Sequence, residues 1–322
     1  MRDHGGDLDR AIARFGGREA DWIDLSTGIN RRPWAMPPVS EAAWRRLPTR
    51  TDHAGLLDAA RRAWGVHPGL DGIALAGAQA AIQMIPHLRP PGRALVLAPT
   101  YNEHAGSLAA QGWAVAEARD LAALAGADLA VVVNPNNPDG RRHAPGDLRA
   151  LAADVGLLVV DESFGDVAPG LSLLPGGGRA LVLRSFGKFW GLAGLRLGFA
   201  FGPEPLIAGL RALAGPWPVS GPAIGAGAAA LADHGWAQAM RATLAGDAVR
   251  MDALAHAAGW RLVGGTGLFR LYDAGNAQEA QDRLARAHVW SRVFPDAPAW
   301  LRLGLPGPEA EWQRLETVLR IM

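Results

Sequence analysis

The chain has 322 residues, of which 49% are apolar and 20% charged, and its 32 Lys and Arg nearly balance its 31 Asp and Glu. This length and a formal charge of +1 predict an ordinary globular protein with one large and one smaller domain, and they do not favour binding to nucleic acid. The absence of Cys excludes disulfides, iron–sulfur clusters, thiolate zinc sites and a Cys nucleophile. Lys188 is the single lysine beside 31 arginines.

The sequence lacks His motifs typical of metal sites and apolar segments typical of signal peptides or membrane spans. The nine His residues form no HExxH or HxH group, so we expect no transition-metal site. The first residues lack an apolar signal segment, and no run of 18 uncharged apolar residues follows. We therefore expect a cytoplasmic protein without a membrane span.

Residues 1–35 are predicted to form an N-terminal arm that contributes to the active site. One helix is expected at about residues 7–15, and a Pro-rich stretch at 31–38 joins the arm to the rest of the chain. A large cofactor-binding domain is predicted over residues 36–215.

Between residues 90 and 200, short apolar runs alternate with helical patterns. The runs lie at 93–98, 128–133, 157–160 and 180–183. This alternation is typical of a mostly parallel sheet covered by helices, so the predicted fold class is α/β. Each run ends in a polar segment, and ligands of such sheets bind beyond the carboxyl ends of the strands. We expect these segments, the last of which contains Lys188, to lie together.

The C-terminal third, residues 216–322, is predicted to be a smaller α+β domain. Its predicted elements are helices at about 221–245, 277–288 and 308–322, with apolar runs near 262, 268–271, 289–294 and 300–305.

The single lysine has two explanations. Genome composition can replace surface Lys by Arg, which would leave one Lys by chance. Alternatively, Lys188 is retained because its chemistry needs an amine that can lose its proton, which a guanidinium does not do. The commonest carbonyl partner of such an amine in amino-acid chemistry is pyridoxal 5'-phosphate (PLP), and the residues around Lys188 suit that cofactor.

The requirements of PLP match several residues at the predicted strand ends. A buried carboxylate, Asp161, suits the ring nitrogen, and burial of its charge calls for a cationic partner. The Asn137 amide can donate to the ring oxygen, and Tyr101 can cover a ring face. The candidates for the phosphate are the helix start at Gly77, Ala78 and Gln79, together with Ser185 and Arg196.

Three linked segments carry a family resemblance. Residues 134–140, 161–162 and 185–198 resemble, in order and spacing, the signature segments of fold-type I PLP enzymes of the class I/II aminotransferase family. The resemblance implies a fold with a large domain and a smaller C-terminal domain, and a homodimer. It also implies these roles: Lys188 bonds covalently to the cofactor, Asp161 pairs with the ring nitrogen, Asn137 binds the ring oxygen, Ser185 and Arg196 hold the phosphate, and Arg302 binds the substrate carboxylate.

The arm narrows the resemblance further. His4-Gly5-Gly6 and the segment 24–30 resemble the start of the threonine-phosphate decarboxylase family of cobalamin biosynthesis. That resemblance implies a small phosphorylated amino acid, L-threonine O-3-phosphate, as the substrate. A substrate with two anionic groups needs a second set of polar ligands besides Arg302. The candidates are His4, Gly28, Asn30 and Arg292.

Two departures from the family pattern bear on the reaction. Phe164 stands where the family usually has Tyr, three residues after Asp161, and Leu47 stands where aminotransferases commonly lend a Tyr to the neighbouring subunit. Both weaken the alternative of an aminotransferase for a phosphorylated amino acid, similar to histidinol-phosphate aminotransferase. A second alternative is a non-catalytic subunit with this fold in the cobalamin pathway, and the intact Lys, Asp, Asn and Arg set argues against it.

Overall fold

Alternating strands and helices make up residues 4–320, which are the part of the chain that the computed structural model describes. In this part the strands β1 to β13 are Ile23–Asp24, Asp71–Leu75, Arg93–Leu97, Ala114–Ala118, Leu129–Val133, Leu158–Asp161, Leu181–Ser185, Gly198–Gly202, Arg261–Thr266, Phe269–Asp273, Val289–Trp290, Arg292–Phe294 and Ala297–Gly304. The helices α1 to α12 are Leu8–Phe15, Glu41–Arg45, Arg50–Trp64, Ala78–Met84, Asn102–Ala110, Pro145–Asp154, Phe186–Phe189, Glu204–Ala214, Gly221–Ala232, His234–Ala257, Ala277–Arg286 and Glu309–Leu319.

Residue contacts divide the chain into two units. The large unit contains residues 34–137 and 141–237. The small unit contains residues 4–33, 138–140 and 238–320 of the described chain. The predicted domain limits at residues 35 and 215 stay a prediction. The two units describe only which segments pack together.

A seven-stranded sheet forms the centre of the large unit, in the order β2-β8-β7-β6-β5-β3-β4. All pairings among β4, β3, β5, β6 and β7 are parallel, and β8 alone runs opposite to its neighbours. The α/β fold class is confirmed, and the four predicted runs correspond to β3, β5, β6 and β7. Every residue of β5 is buried, as expected for a strand with both faces covered.

The small unit has the predicted α+β character. Its main sheet has four antiparallel strands in the order β12-β13-β10-β9, and β1 pairs in parallel with β11. The arm helix α1 packs here through Ala11, which is buried in a cluster with Trp22, Ala285 and Trp290. The arm is therefore an integral part of the small unit.

The predicted helix at 221–245 differs from the structure. Two helices, α9 and α10, replace it, and the break falls at Asp233, whose carboxylate accepts the backbone N–H of Trp236. The helix α9 belongs to the large unit, where a Cβ at Gly227 would overlap the side chain of Leu197 and crowd that of Leu56. No helix within residues 4–320 combines the length and apolar character needed to cross a bilayer.

Candidate active site

The carboxyl ends of three neighbouring strands bring the signature segments of the large unit to one edge of the sheet. Asp161, the last residue of β6, lies opposite Val133 of β5 on one side and Leu183 of β7 on the other. Asn137 follows β5 by four residues, and Lys188 follows β7 by three. The parallel register therefore explains why segments far apart in the sequence converge.

Asp161 is a buried carboxylate with strong hydrogen-bond donors. His104 Nε2 lies 2.9 Å from Asp161 Oδ2, and the backbone N–H of Ser163 donates to Oδ1 at 2.8 Å. Burial alone would raise the pKa of Asp161. The hydrogen bond and charge of His104, the charge of Lys188 and the bond from Ser163 outweigh it and lower the pKa to about 2. The carboxylate is ionised at neutral pH.

The side chain that pairs with the buried Asp161 is His104, which the sequence analysis did not name. His104 is 3% exposed and lies in α5, the helix that follows β3. The sequence carries only an indirect signal for the pairing of His104 with Asp161, because this pairing depends on how α5 packs over the sheet. Since an ionised carboxylate only accepts, His104 Nε2 is the donor of this bond.

Lys188 lies half-buried in the four-residue helix α7. Its Nζ is 5.1 Å from the ring centroid of Phe164, the residue that replaces the family's usual Tyr. Its charge also lowers the pKa of Asp161. Lys188, Phe164 and Asp161 therefore occupy one neighbourhood.

The loop that carries Asn137 is fixed by its polar side chains. Asn134 Oδ1 accepts the backbone N–H of His143 at 3.0 Å, and Asn134 Nδ2 donates to the His143 carbonyl. Asn136 Nδ2 donates to the carbonyl of Pro99 at 2.9 Å, while Thr100 Oγ1 donates to Asn136 Oδ1. These hydrogen bonds fix the conformation of the loop that carries Asn137. Asn137 itself is 9% exposed.

The structure brings together Gly77, Ala78 and Arg196 among the residues predicted to hold a phosphate. Gly77 precedes α4 with a φ of 81°, which favours glycine. A Cβ at Gly77 would lie 2.9 Å from Arg196 Nη2, and one at Gly198 would overlap the backbone nitrogen of Ala78. A guanidinium and the start of a helix are both attractive to an anion.

The remaining predicted cofactor residues lie at neighbouring helix starts. Tyr101 Oη donates to Gln79 Oε1 at 3.2 Å, which fixes the phenol beside α4. Ser185 is half-buried at the end of β7, where it precedes α7 and Lys188.

Beneath this edge lies a buried ionic network that the sequence analysis did not predict. Arg184 Nη1 donates to Glu162 at 3.1 Å and Nη2 donates to Asp166 at 2.5 Å, and all three residues are at most 3% exposed. Burial raises the pKa of Glu162 despite the charge of Arg184 and further hydrogen bonds. The network ties the segment after Asp161 to the strand before Lys188.

In the small unit, the predicted substrate residues meet around Ser26. Arg302 is 3% exposed, and its Nη2 donates to the Ser26 carbonyl at 2.6 Å. The backbone N–H of Gly6 donates to Ser26 Oγ at 2.7 Å, and a Cβ at Gly5 would overlap the Ser26 carbonyl. The segment that contains His4 is thereby held near the Arg302 contact.

Arg292 lies directly opposite Arg302 across strands β12 and β13. Residues opposite each other in an antiparallel pair project from the same face, so two guanidinium side chains share one face of this sheet. Asn30, 4% exposed, accepts the backbone N–H of Arg32, and Gly28 is buried in the same segment. The small unit thus gathers cationic and polar groups suited to an anionic ligand.

Comparison with known proteins identifies the family. The profile of the class I and II aminotransferases matches residues 71–319. The chain belongs to the class I and II aminotransferase family. A threonine-phosphate decarboxylase of a Sinorhizobium species is 45% identical over 99% of this family member and 98% of the relative. A threonine-phosphate decarboxylase of Pseudomonas aeruginosa is 42% identical over 99% and 97%.

Solved structures of the family share the fold. The histidinol-phosphate aminotransferase of Sinorhizobium meliloti, determined in complex with pyridoxal-5'-phosphate, has a TM-score of 0.81 with this family member. The two sequences are 22% identical, and the aligned region covers 97% of this chain and 93% of the solved chain. This likeness confirms the predicted fold of fold-type I enzymes.

Proposed function

We propose that this chain is a PLP-dependent decarboxylase that converts L-threonine O-3-phosphate to (R)-1-amino-2-propanol phosphate in cobalamin biosynthesis. The observation that carries the proposal is the similarity over nearly the full length to two threonine-phosphate decarboxylases, at 45% and 42% identity. The opposed pair Arg292 and Arg302 supports it, because this substrate carries both a carboxylate and a phosphate.

The residues of the large unit fit PLP. Asp161 is ionised at neutral pH, as an ion pair with a protonated ring nitrogen requires. Gly77 leaves space beside the Arg196 guanidinium that a side chain would fill. In this proposal Lys188 bonds to the cofactor, Asn137 donates to its ring oxygen, and Ser185 joins Arg196 at the phosphate. When bound, PLP supplies an electron sink for the pair released when a bond at the substrate Cα breaks.

The chain's own residues then direct the reaction. Arg302 and Arg292, whose Cα positions pair across β13 and β12, bind the two anionic groups of the substrate. Loss of CO₂ breaks the bond between Cα and the carboxylate carbon. The Lys188 side chain, as its ammonium form, delivers a proton to Cα in place of the lost carboxylate and regains one from solvent, so the overall reaction needs no second substrate.

Incubation with L-threonine O-3-phosphate alone tests the reaction. We expect stoichiometric CO₂ and a phosphorylated amino alcohol without any added 2-oxo acid. An activity that requires a 2-oxo acid would instead identify an aminotransferase of a phosphorylated amino acid. Binding without any turnover would identify a non-catalytic subunit.

The variants Lys188→Ala and Lys188→Arg sharpen this test. Both should lose the visible absorbance of the cofactor bound to lysine, and both should lose turnover by at least about 1,000-fold. Lys188→Arg keeps the positive charge next to Asp161, so it separates the need for an amine from the need for a charge. Turnover that survives in either variant would contradict the proposed mechanism.

We further propose a homodimer. Trp44 and Leu47 are 70% and 63% exposed, and Met36 is 44% exposed. Large apolar side chains exposed together are typical of an association surface. Light scattering after size exclusion should give twice the chain mass, and the double variant Trp44→Glu, Leu47→Glu should give a monomer. The cytoplasmic location stays a prediction, to be tested by cell fractionation.

A further inference from the structure

An aromatic stack begins in the helix that carries Lys188 and ends in α10. The rings of Phe186 and Trp190 lie nearly parallel with centroids 5.6 Å apart, and Trp190 stacks in turn on Trp236 at 5.0 Å. The Phe189 ring meets Trp190 and Trp236 edge-on at 5.3 and 5.5 Å. The aromatic residues on both sides of Lys188 are therefore packed through Trp236.

Three hydrogen bonds and the stack of Trp236 on Trp190 together form a closed ring of contacts. The backbone N–H of Trp34 donates to the Trp190 carbonyl at 2.9 Å, and Trp34 Nε1 donates to Asp233 Oδ2 at 3.0 Å. Asp233 Oδ1 accepts the backbone N–H of Trp236 at 3.0 Å. The bonds from Trp236 and Trp34 lower the pKa of Asp233, so its carboxylate stays ionised at neutral pH.

This ring lies where the chain passes between the two units. The large unit begins at Trp34 and its last segment ends at Ala237. Asp233 and Trp236 come just before that second crossing, at the start of α10. Trp34 and Asp233, which lie near two of the points where the chain changes unit, are thus bonded to one another, and Trp34 is also bonded to the backbone of Trp190.

We propose that Trp236, fixed by Asp233 and Trp34, is a positioning residue for Lys188. The inference rests on the proposed function, in which Lys188 carries the cofactor. A helix of four residues such as α7 has too few internal hydrogen bonds to hold its own geometry. Packing of Phe186, Phe189 and Trp190 against one another and against Trp236 supplies that constraint instead.

The test uses the PLP-loaded enzyme with Trp236→Leu, which removes the ring, and Trp236→Phe, which retains one. Trp260→Leu is the matched control, because it removes an indole from an aromatic contact with Tyr272 at 6.0 Å, within the small unit. Trp236→Leu should lower kcat about tenfold, since a misplaced reacting group costs rate. Its KM should stay within about twofold, because the residues proposed to bind the substrate anions are untouched.

Spectroscopy separates positioning from general damage to the fold. The visible band of the cofactor bound to Lys188 titrates with pH, and the midpoint should shift in Trp236→Leu, return in Trp236→Phe, and stay unchanged in Trp260→Leu. If Trp236→Leu does not fold, Asp233→Ala takes its place. This variant removes the hydrogen bonds that Asp233 accepts from Trp34 and Trp236, and it keeps the aromatic rings of Phe186, Trp190 and Trp236.

Two outcomes overturn different claims. An active native enzyme whose Trp236→Leu and Asp233→Ala variants keep its kcat and midpoint would overturn the positioning role alone. A native protein that shows no visible band, or releases no CO₂, would overturn the proposed function instead.

Discussion

The bond between His104 and Asp161 gives the sharpest prediction about stability. His104→Ala removes a hydrogen-bond donor that lies 2.9 Å from the carboxylate of Asp161, a residue that is 2% exposed. The free-energy cost of burying this charge is then no longer offset by His104. The pKa of Asp161 is about 2 against an ordinary 3.8. This difference corresponds to about 2 kcal/mol of stability at neutral pH. We expect His104→Ala to lower the free energy of unfolding at pH 7 by about that amount.

The sign of the pH dependence follows from the direction of the shift. The native pKa of Asp161 lies below its unfolded value, so the stabilisation is complete above about pH 4 and is lost as the pH falls toward 2. In His104→Ala the native pKa of Asp161 rises because burial is opposed by fewer groups, so the stabilisation that its ionised form supplies at neutral pH is lost. The difference between native protein and variant should therefore be largest at pH 7 and shrink as the pH falls toward 3.

Urea unfolding of cofactor-free protein, followed by tryptophan fluorescence at pH 7, 4 and 3, measures this difference, since bound cofactor would add its own stabilisation. His104→Gln keeps an N–H donor without the charge and should recover part of the loss. Substitution of the exposed His256 by Ala is the control. Equal stability of His104→Ala and the native protein at pH 7, or a difference that grows as the pH falls, would refute the reasoning.

Three further predictions concern single side chains. Gly77→Ala should weaken cofactor binding at least about tenfold in a spectral titration, because its Cβ would meet the Arg196 guanidinium at a backbone φ of 81°; Gly225→Ala, where a Cβ meets nothing within 4 Å, should not. Arg302→Gln should raise KM about 100-fold while the visible band persists, and loss of the band would show that Arg302 serves the cofactor. Arg184→Leu should cost about 3–5 kcal/mol in urea unfolding, because it leaves buried carboxylates without their cation; a loss below about 1 kcal/mol would contradict the role of this network.

The sequence predicts which candidate residues of the large unit lie at the strand ends, because the signals for these strands are local. Each predicted strand is a short apolar run, and the residues that follow it, such as Asn137, Asp161 and Lys188, inherit their place from the parallel register. The strand pattern alone predicts the positions of these residues, and the resemblance to the family implies their roles.

The features that the sequence analysis missed depend on packing between distant elements. His104 meets Asp161 only because α5 lies over the sheet, across 57 residues of chain. Arg184 lies at the end of an apolar run, and that run does not show that its charge is buried against carboxylates from the segment that follows the neighbouring strand β6. The Gly- and Ala-rich pattern continues past residue 233 and hides the local cap that Asp233 forms at the start of α10, whereas the contact from Trp34 to Asp233 requires the fold.

The solitary, half-buried Lys188 also makes this chain an unusual substrate for a protease that cuts only after lysine. Complete digestion of the unfolded chain would give two fragments, residues 1–188 and 189–322. Borohydride reduction of the proposed bond between Lys188 and the cofactor would block that single cut. The ratio of intact chain to fragments on a gel would then report cofactor occupancy directly, with no need for an activity assay.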